Sequence, residues 1–117
     1  MSLQEQLDEF RVGFLAQAPQ EVQAKMESAL QALADSDMLA KVLKEGDTMP
    51  EFTLQNQIGS PLSLSQLLAN GPLVVTFYRG GWCPYCNLEL RAYQAALDRI
   101  NAAGAMLVAI TPELADE

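Results

Sequence analysis

The sequence predicts an α/β fold that follows an acidic helical segment. Two apolar, β-branched runs, PLVVTFY and AMLVAIT, flank one long helical pattern, and this order is typical of a βαβ unit. The N-terminal part of the chain has helical periodicity only. We therefore expect an acidic helical segment over residues 1–45 and an α/β domain over residues 46–117.

Two long helices are predicted in the N-terminal segment. Ser2 and Glu5 have the spacing of a capping box, and apolar residues recur after them at helical intervals, so a first helix is expected over about residues 3–17. Pro19 suits the first turn of a second helix. The apolar residues of that helix fall on one face: Val22, Met26, Ala29, Leu30 and Leu33.

A short third helix completes this acidic region. It is predicted over DMLAKVLK, with Asp35 or Ser36 as its cap and Gly46 beyond its end. Residues 1–51 carry four basic and ten acidic side chains, a net charge of −6. We expect a dimerisation arm or solvated helices packed on the main body, because no polar constellation in the segment suggests chemistry.

The charge pattern and the first residues exclude several classes of partner. The whole chain has a net charge of −8, residues 52–112 have a net charge of +1, and no basic patch is present, so nucleic-acid binding is not expected. The start, MSLQEQLDEF, lacks the basic and apolar regions of a signal peptide, and no apolar run approaches the roughly 18 residues of a membrane span. We expect a soluble, cytoplasmic protein with no membrane partner.

The α/β domain is predicted to begin with a hairpin. Phe52 and Leu54 alternate with polar neighbours, residues 59–61 form a turn signal, and a short helix is expected after Ser63. The apolar run PLVVTFY then has the character of a buried parallel strand. The following helix is expected from Pro84 to about residue 103, before the second strand, AMLVAIT.

The motif RGGWCPYC lies between the first long strand and its helix, where open α/β sheets place their sites. Pro84 suits the first helical position, which makes Cys83 the N-cap and Cys86 the third helical residue. Unpaired backbone N–H groups and the helix dipole favour thiolates there. Arg79 is the nearest cation. Cys86 continues the apolar stripe that the helix turns toward the sheet, whereas Cys83 lies before the helix, so Cys83 is expected to be the more exposed cysteine. The other residues of this stripe are Leu90, Tyr93, Leu97 and Ile100.

Three interpretations of the cysteine pair remain open at this point. The pair is a redox couple, two ordinary core thiols, or half of a metal site. A structural zinc site requires four ligands, and the chain has two cysteines and no histidine, so no metal or other cofactor is expected. Trp82, Tyr85 and Gly81 are candidates for a substrate pocket, although aromatic side chains near a strand end often only pack.

At these residues the sequence resembles a known family. The stretches GDTMPEFTL, PLVVTFYRGGWCPYCNLELRAYQ and AMLVAITPE resemble the front part of a peroxiredoxin-like protein of the alkyl hydroperoxide reductase and thiol-specific antioxidant group. The resemblance covers residues 46–114. It implies a thioredoxin-like fold of the peroxiredoxin type, with an added helical N-terminal segment and the C-terminal part of the fold absent from this chain.

The resemblance also implies site residues. The family pattern P-x-x-x-T-x-x-C places its peroxide-attacking cysteine on Cys86, but Cys83 stands at the threonine position and Arg79 at the proline position. A thioredoxin analogy instead makes Cys83 the nucleophile and Cys86 the resolving residue. Strands and a helix of the family fold lie beyond this chain. Either the 117 residues are a fragment of a longer protein, or a second subunit completes the sheet, and the second alternative predicts a homo-oligomer.

The function implied is a thiol-based antioxidant oxidoreductase. It would reduce hydrogen peroxide or organic hydroperoxides through a dithiol-disulfide cycle of Cys83 and Cys86, with Cys86 preferred as the attacking residue and Arg79 holding a thiolate or a peroxide oxygen. An external dithiol, such as a thioredoxin-type protein, would be the reductant. The alternatives are a thioredoxin-like protein dithiol-disulfide oxidoreductase and an inactive interaction module or metal-bridged dimer.

Overall fold

A computed structural model describes residues 1–114 of the chain. These residues form two compact units, one of residues 7–50 and one of residues 1–6 together with the chain from residue 51 onward. Division into domains at residue 45 stays a prediction. The elements in chain order are α1 Leu3–Gln17, α2 Gln20–Asp35, α3 Met38–Lys41, β1 Thr53–Gln55, β2 Pro61–Ser63, α4 Leu64–Leu68, β3 Leu73–Phe77, α5 Pro84–Ala102 and β4 Met106–Ile110.

The helices of the N-terminal segment begin and end for identifiable reasons. The Glu5 carboxylate accepts from the Ser2 backbone N–H at 2.6 Å, and the Ser2 hydroxyl accepts from the Glu5 N–H at 3.2 Å, so the predicted capping box is confirmed. Pro19 is the N-cap of α2 rather than a residue of its first turn. The apolar face of α2 is exposed in the described chain, as are its four large side chains: Val22, Met26, Leu30 and Leu33.

The predicted cap of the third helix is wrong. Asp35 still belongs to α2, and Asp37 is the residue that precedes α3. The Asp37 carboxylate pairs with Lys41 at 2.9 Å, one helical turn away, instead of capping. Ser36 joins the two helices, because its hydroxyl donates to the Leu33 carbonyl at 2.6 Å and accepts from the Met38 N–H at 3.3 Å.

The part of the second unit that starts at residue 51 begins with the predicted hairpin. Strands β1 and β2 are antiparallel, with Leu54 opposite Leu62. The Asn56 side chain accepts the N–H groups of Ile58 and Ser60 and so closes the turn between them. Ser63 caps α4 through a capping box with Gln66, which confirms the short helix after Ser63.

The βαβ unit is also confirmed. Strands β3 and β4 are parallel and in register, with Leu73 opposite Met106 and Phe77 opposite Ile110. Helix α5 connects them and packs against β4. Its predicted apolar stripe is half-buried along the whole length, at Cys86, Leu90, Tyr93, Leu97 and Ile100. The fold is therefore a small α/β arrangement in which the carboxyl ends of β3 and β4 lie side by side.

The two parallel strands start at a close backbone contact. Gly71 has φ +134°, and a Cβ atom there would lie 2.5 Å from the Gly104 carbonyl oxygen. Backbone atoms cannot move aside as the end of a flexible side chain can. Glycine is thus required at position 71 by both conformation and space.

Replacing this glycine is expected to destabilise the domain. Gly71→Ala should lower the free energy of unfolding by about 1–3 kcal/mol, because the alanine is strained and overlaps the Gly104 carbonyl. Urea denaturation followed by circular dichroism measures the change. The control is Gly13→Ala on α1, where a Cβ meets nothing within 4 Å; it should raise stability by about 0.5–1 kcal/mol. Equal effects of the two substitutions would contradict the packing argument.

Candidate active site

The cysteine pair lies at the amino terminus of α5, directly after the loop that leaves the carboxyl end of β3. Pro84 is the first helical residue and Cys83 is the N-cap, as predicted. The Cys83 Sγ atom accepts a hydrogen bond from the Cys86 backbone N–H at 3.3 Å. It occupies the place that a serine or aspartate oxygen takes at most helix starts, where partial positive charge from the helix is greatest.

The two sulfur atoms are in direct contact. The Cys86 Sγ donates to the Cys83 Sγ at 2.6 Å, and both cysteines are free thiols. A disulfide bond needs a separation of about 2.05 Å. The pair can therefore become oxidised to a disulfide after a shift of less than an ångström in the separation of the sulfurs.

Arg79 joins both cysteines to the loop. Its Nη2 atom donates to the Cys83 Sγ at 3.1 Å, and its backbone N–H points at the Cys86 Sγ at 3.5 Å. The guanidinium also lies over the Trp82 ring, 5.1 Å from the ring centre, in a cation–π contact. The Arg79 guanidinium is consequently held on two sides, by the Trp82 indole ring and by the Cys83 sulfur.

These contacts set the ionisation of Cys83. Burial alone raises the pKa of this thiol, but hydrogen bonds from the Cys86 side chain and backbone, and from Arg79, outweigh burial and leave the pKa below its ordinary value. The positive charge of Arg79 acts in the same direction. Cys83 is thus the sulfur at which negative charge is best stabilised.

The exposure predicted for the two cysteines is wrong. Cys83 has 0% of its surface exposed, whereas Cys86 is only half-buried. The prediction rested on the apolar stripe that includes Cys86, but an N-cap side chain that accepts from the third helical N–H folds back over the helix end. There the Cys86 side chain and the Arg79 guanidinium both contact its sulfur.

The three pocket candidates occupy different environments. Trp82 is 66% exposed beside the cysteines, Tyr85 is half-buried, and Gly81 is exposed. Both polar groups of Gly81 are held: its N–H donates to the Glu113 Oε1 at 3.0 Å, and its carbonyl accepts from the Asn87 side chain at 3.0 Å. Of the three, Trp82 presents the largest exposed surface next to the sulfurs.

Sequence reasoning missed Glu113 and Asn87. A signal for Glu113 was available, since parallel strands end at the same edge of a sheet and the residues after β4 must therefore approach the loop after β3. Asn87 lies one position beyond Cys86 on α5. Its contact depends on the path of the loop, which periodicity does not reveal.

A separate groove of about 600 Å³ lies between the hairpin, α4 and the end of β4. Neither cysteine lines it, although Tyr78 and Glu113 do. Among residues 1–114, no three side chains of metal-binding type come together, and no helix is both long and apolar enough to cross a membrane.

Comparison with known proteins identifies the family. The model of the AhpC/TSA family matches residues 45–117, more than half of the chain. The chain belongs to the AhpC/TSA family. Its mixed α/β structure agrees with the thioredoxin-like fold expected from the resemblance.

Several curated relatives are chloroplast proteins named peroxiredoxin Q. The relative from Sedum lineare is 38% identical over 79 residues, 68% of this chain and 41% of its own length. The relative from Populus jackii is 38% identical, and the match covers 63% of this chain and 34% of the relative. The relative from Suaeda salsa is 34% identical, and the match covers 65% of this chain and 35% of the relative. The chain thus spans well under half the length of these relatives. No solved structure matches it with significance.

Arg79 is expected to control the pH dependence of this AhpC/TSA chain. Because the guanidinium stabilises the Cys83 thiolate, Arg79→Ala should raise the pH at which the first thiolate of the pair forms. The measurement is a titration of the reduced protein followed by the ultraviolet absorbance of thiolates.

Two further variants define the role of the charge. Arg79→Lys keeps the charge but loses the planar fork, so an intermediate midpoint is expected. Arg91→Ala removes an exposed arginine farther along α5 and should leave the midpoint unchanged. An unchanged midpoint in Arg79→Ala would show that the arginine does not stabilise the thiolate.

Proposed function

We propose that this chain carries the dithiol site of a thiol peroxidase that reduces hydrogen peroxide or organic hydroperoxides. The observation that supports this most strongly is the contact between two free sulfurs, 2.6 Å apart at a helix amino terminus, with Arg79 bound to one of them. Membership of the AhpC/TSA family and the names of the relatives support the same chemistry.

Cys86 is the proposed attacking residue. It is the partly exposed cysteine, whereas Cys83 is completely covered. The reaction starts with Cys83 as the thiolate; the Cys86 proton passes to the Cys83 Sγ beside it, and the Cys86 thiolate so formed attacks the peroxide oxygen. An S–O bond forms and the O–O bond breaks. The leaving oxygen takes the proton from Cys83 and departs as water or an alcohol, so Cys86 becomes a sulfenic acid.

Cys83 then resolves the intermediate. Having lost its proton, it is again the thiolate that Arg79 and the helix terminus stabilise. It attacks the Cys86 sulfur, an S–S bond forms, and the S–O bond breaks. The departing hydroxide takes a proton from solvent to give water. The resulting disulfide is reduced by an external dithiol, for which a thioredoxin-type protein is the proposed partner.

The exposure of the two cysteines disfavours the thioredoxin-like alternative. A protein disulfide is bulky, and the sulfur that attacks it must be accessible. In the thioredoxin analogy that sulfur belongs to Cys83, which is covered by its neighbours. A peroxide is small and needs access only to Cys86. Homo-oligomerisation and a cytoplasmic location stay predictions from the sequence.

Single cysteine variants test the assignment. In Cys83→Ser, peroxide should oxidise Cys86 more slowly, because the acceptor of its proton is lost, and the sulfenic acid should persist, because no resolving thiolate remains; dimedone labelling and mass spectrometry detect it. In Cys86→Ser, no dimedone adduct should form at Cys83. The double variant measures background peroxide consumption. The reverse labelling pattern would assign the attack to Cys83, and rapid reduction of insulin disulfides without peroxide consumption would favour the oxidoreductase alternative.

A further inference from the structure

The loop that carries Arg79 is tied to the segment after β4. The two strands end together, and the Tyr78 N–H donates to the Ile110 carbonyl at 3.0 Å, one step beyond the strand ladder. The chain after β3 and the chain after β4 therefore emerge as neighbours. Their next contact is the hydrogen bond from the Gly81 N–H to the Glu113 carboxylate.

This contact helps to fix the conformation of the loop. Gly81 is exposed, and a Cβ atom there would meet nothing within 4 Å, so no side-chain packing holds it in place. It is held by Glu113 on its N–H and by Asn87 on its carbonyl. A carboxylate acceptor makes a stronger bond to N–H than a neutral oxygen does. The carboxylate also fills the space beside Gly80 that a Cβ would need.

Glu113 is itself well placed to act as an anchor. It is half-buried, and its backbone N–H points at the Thr111 hydroxyl at 3.3 Å. Thr111 is also half-buried and directly follows β4. The carboxylate is thus attached to the sheet through a short, restrained segment. Loop residues 79–82 are held to the sheet end through it.

We propose that Glu113 is a positioning residue for the redox site: its bond to Gly81 holds the loop in the conformation that directs the Arg79 guanidinium onto the Cys83 sulfur. The effect of Glu113 on peroxide reduction rests on the proposed function. Its effect on the loop and on Arg79 does not depend on that function. Glu113 touches neither sulfur in the contacts described, so it acts through Gly81 and Arg79.

The sign of the effect separates positioning from simple electrostatics. A carboxylate near a thiolate disfavours the thiolate, so an electrostatic role predicts that Glu113→Ala and Glu113→Gln both lower the pH at which the first thiolate forms. A positioning role predicts a higher midpoint in Glu113→Ala, because Arg79 loses its fixed direction. Glu113→Gln keeps an acceptor oxygen of the same reach and should stay near the wild-type value.

The experiment uses the reduced full chain without peroxide. Amide hydrogen exchange at Gly81, followed by NMR, should become about tenfold faster in Glu113→Ala, while Glu113→Gln retains most of the protection. Glu113→Asp keeps the charge but falls one methylene short of Gly81, so it should behave like alanine. Thiolate titrations of the same samples give the midpoints. Asp98→Asn, an exposed carboxylate near the far end of α5, is the control.

Two results would overturn the proposal. One is unchanged Gly81 exchange in both the alanine and the aspartate variant, and the other is a midpoint that falls in Glu113→Ala. Neither readout depends on peroxide. If the wild-type chain fails to consume peroxide, the proposed function fails, while the Gly81 exchange and the thiolate midpoints still decide the role of Glu113.

Discussion

The Cys83 sulfur at the start of α5 is the point on which the site depends. It accepts the Cys86 backbone N–H as a helix cap, the Cys86 thiol at 2.6 Å and the Arg79 guanidinium at 3.1 Å. A thiolate is a better acceptor than a thiol for all three donors. Helix capping and ionisation therefore reinforce each other, because the interactions that begin the helix also stabilise the charge.

The parallel strands bring together the residues around this sulfur and the loop that carries Arg79. Because β3 and β4 end together, one strand supplies the loop with Arg79 and the other supplies Glu113. Helix α5 packs against β4, and its apolar stripe is half-buried along the whole helix. Cys83 is covered while Cys86 stays partly exposed, so the sulfur at which charge is best stabilised differs from the sulfur that solvent reaches.

Local sequence signals predicted most of the elements and the place of the site. The capping box at Ser2, the turn signal before Ser63 and the proline after Cys83 act over a few residues, so their consequences can be inferred without a structure. The exposure of Cys83 depends on where its side chain turns, and the Gly81 contact joins residues 32 positions apart. Neither follows from periodicity, because both require the path of the loop in three dimensions.

The most direct test of the central claim is the intact mass of the fully reduced protein, followed over seconds after one equivalent of hydrogen peroxide is added at neutral pH. If Cys83 and Cys86 form a peroxide-reducing pair, the protein loses two hydrogen atoms rapidly, and peptide mapping finds a disulfide between them. An unchanged mass over minutes, with both thiols still available for alkylation, would contradict the claim that this pair reduces peroxide in this chain.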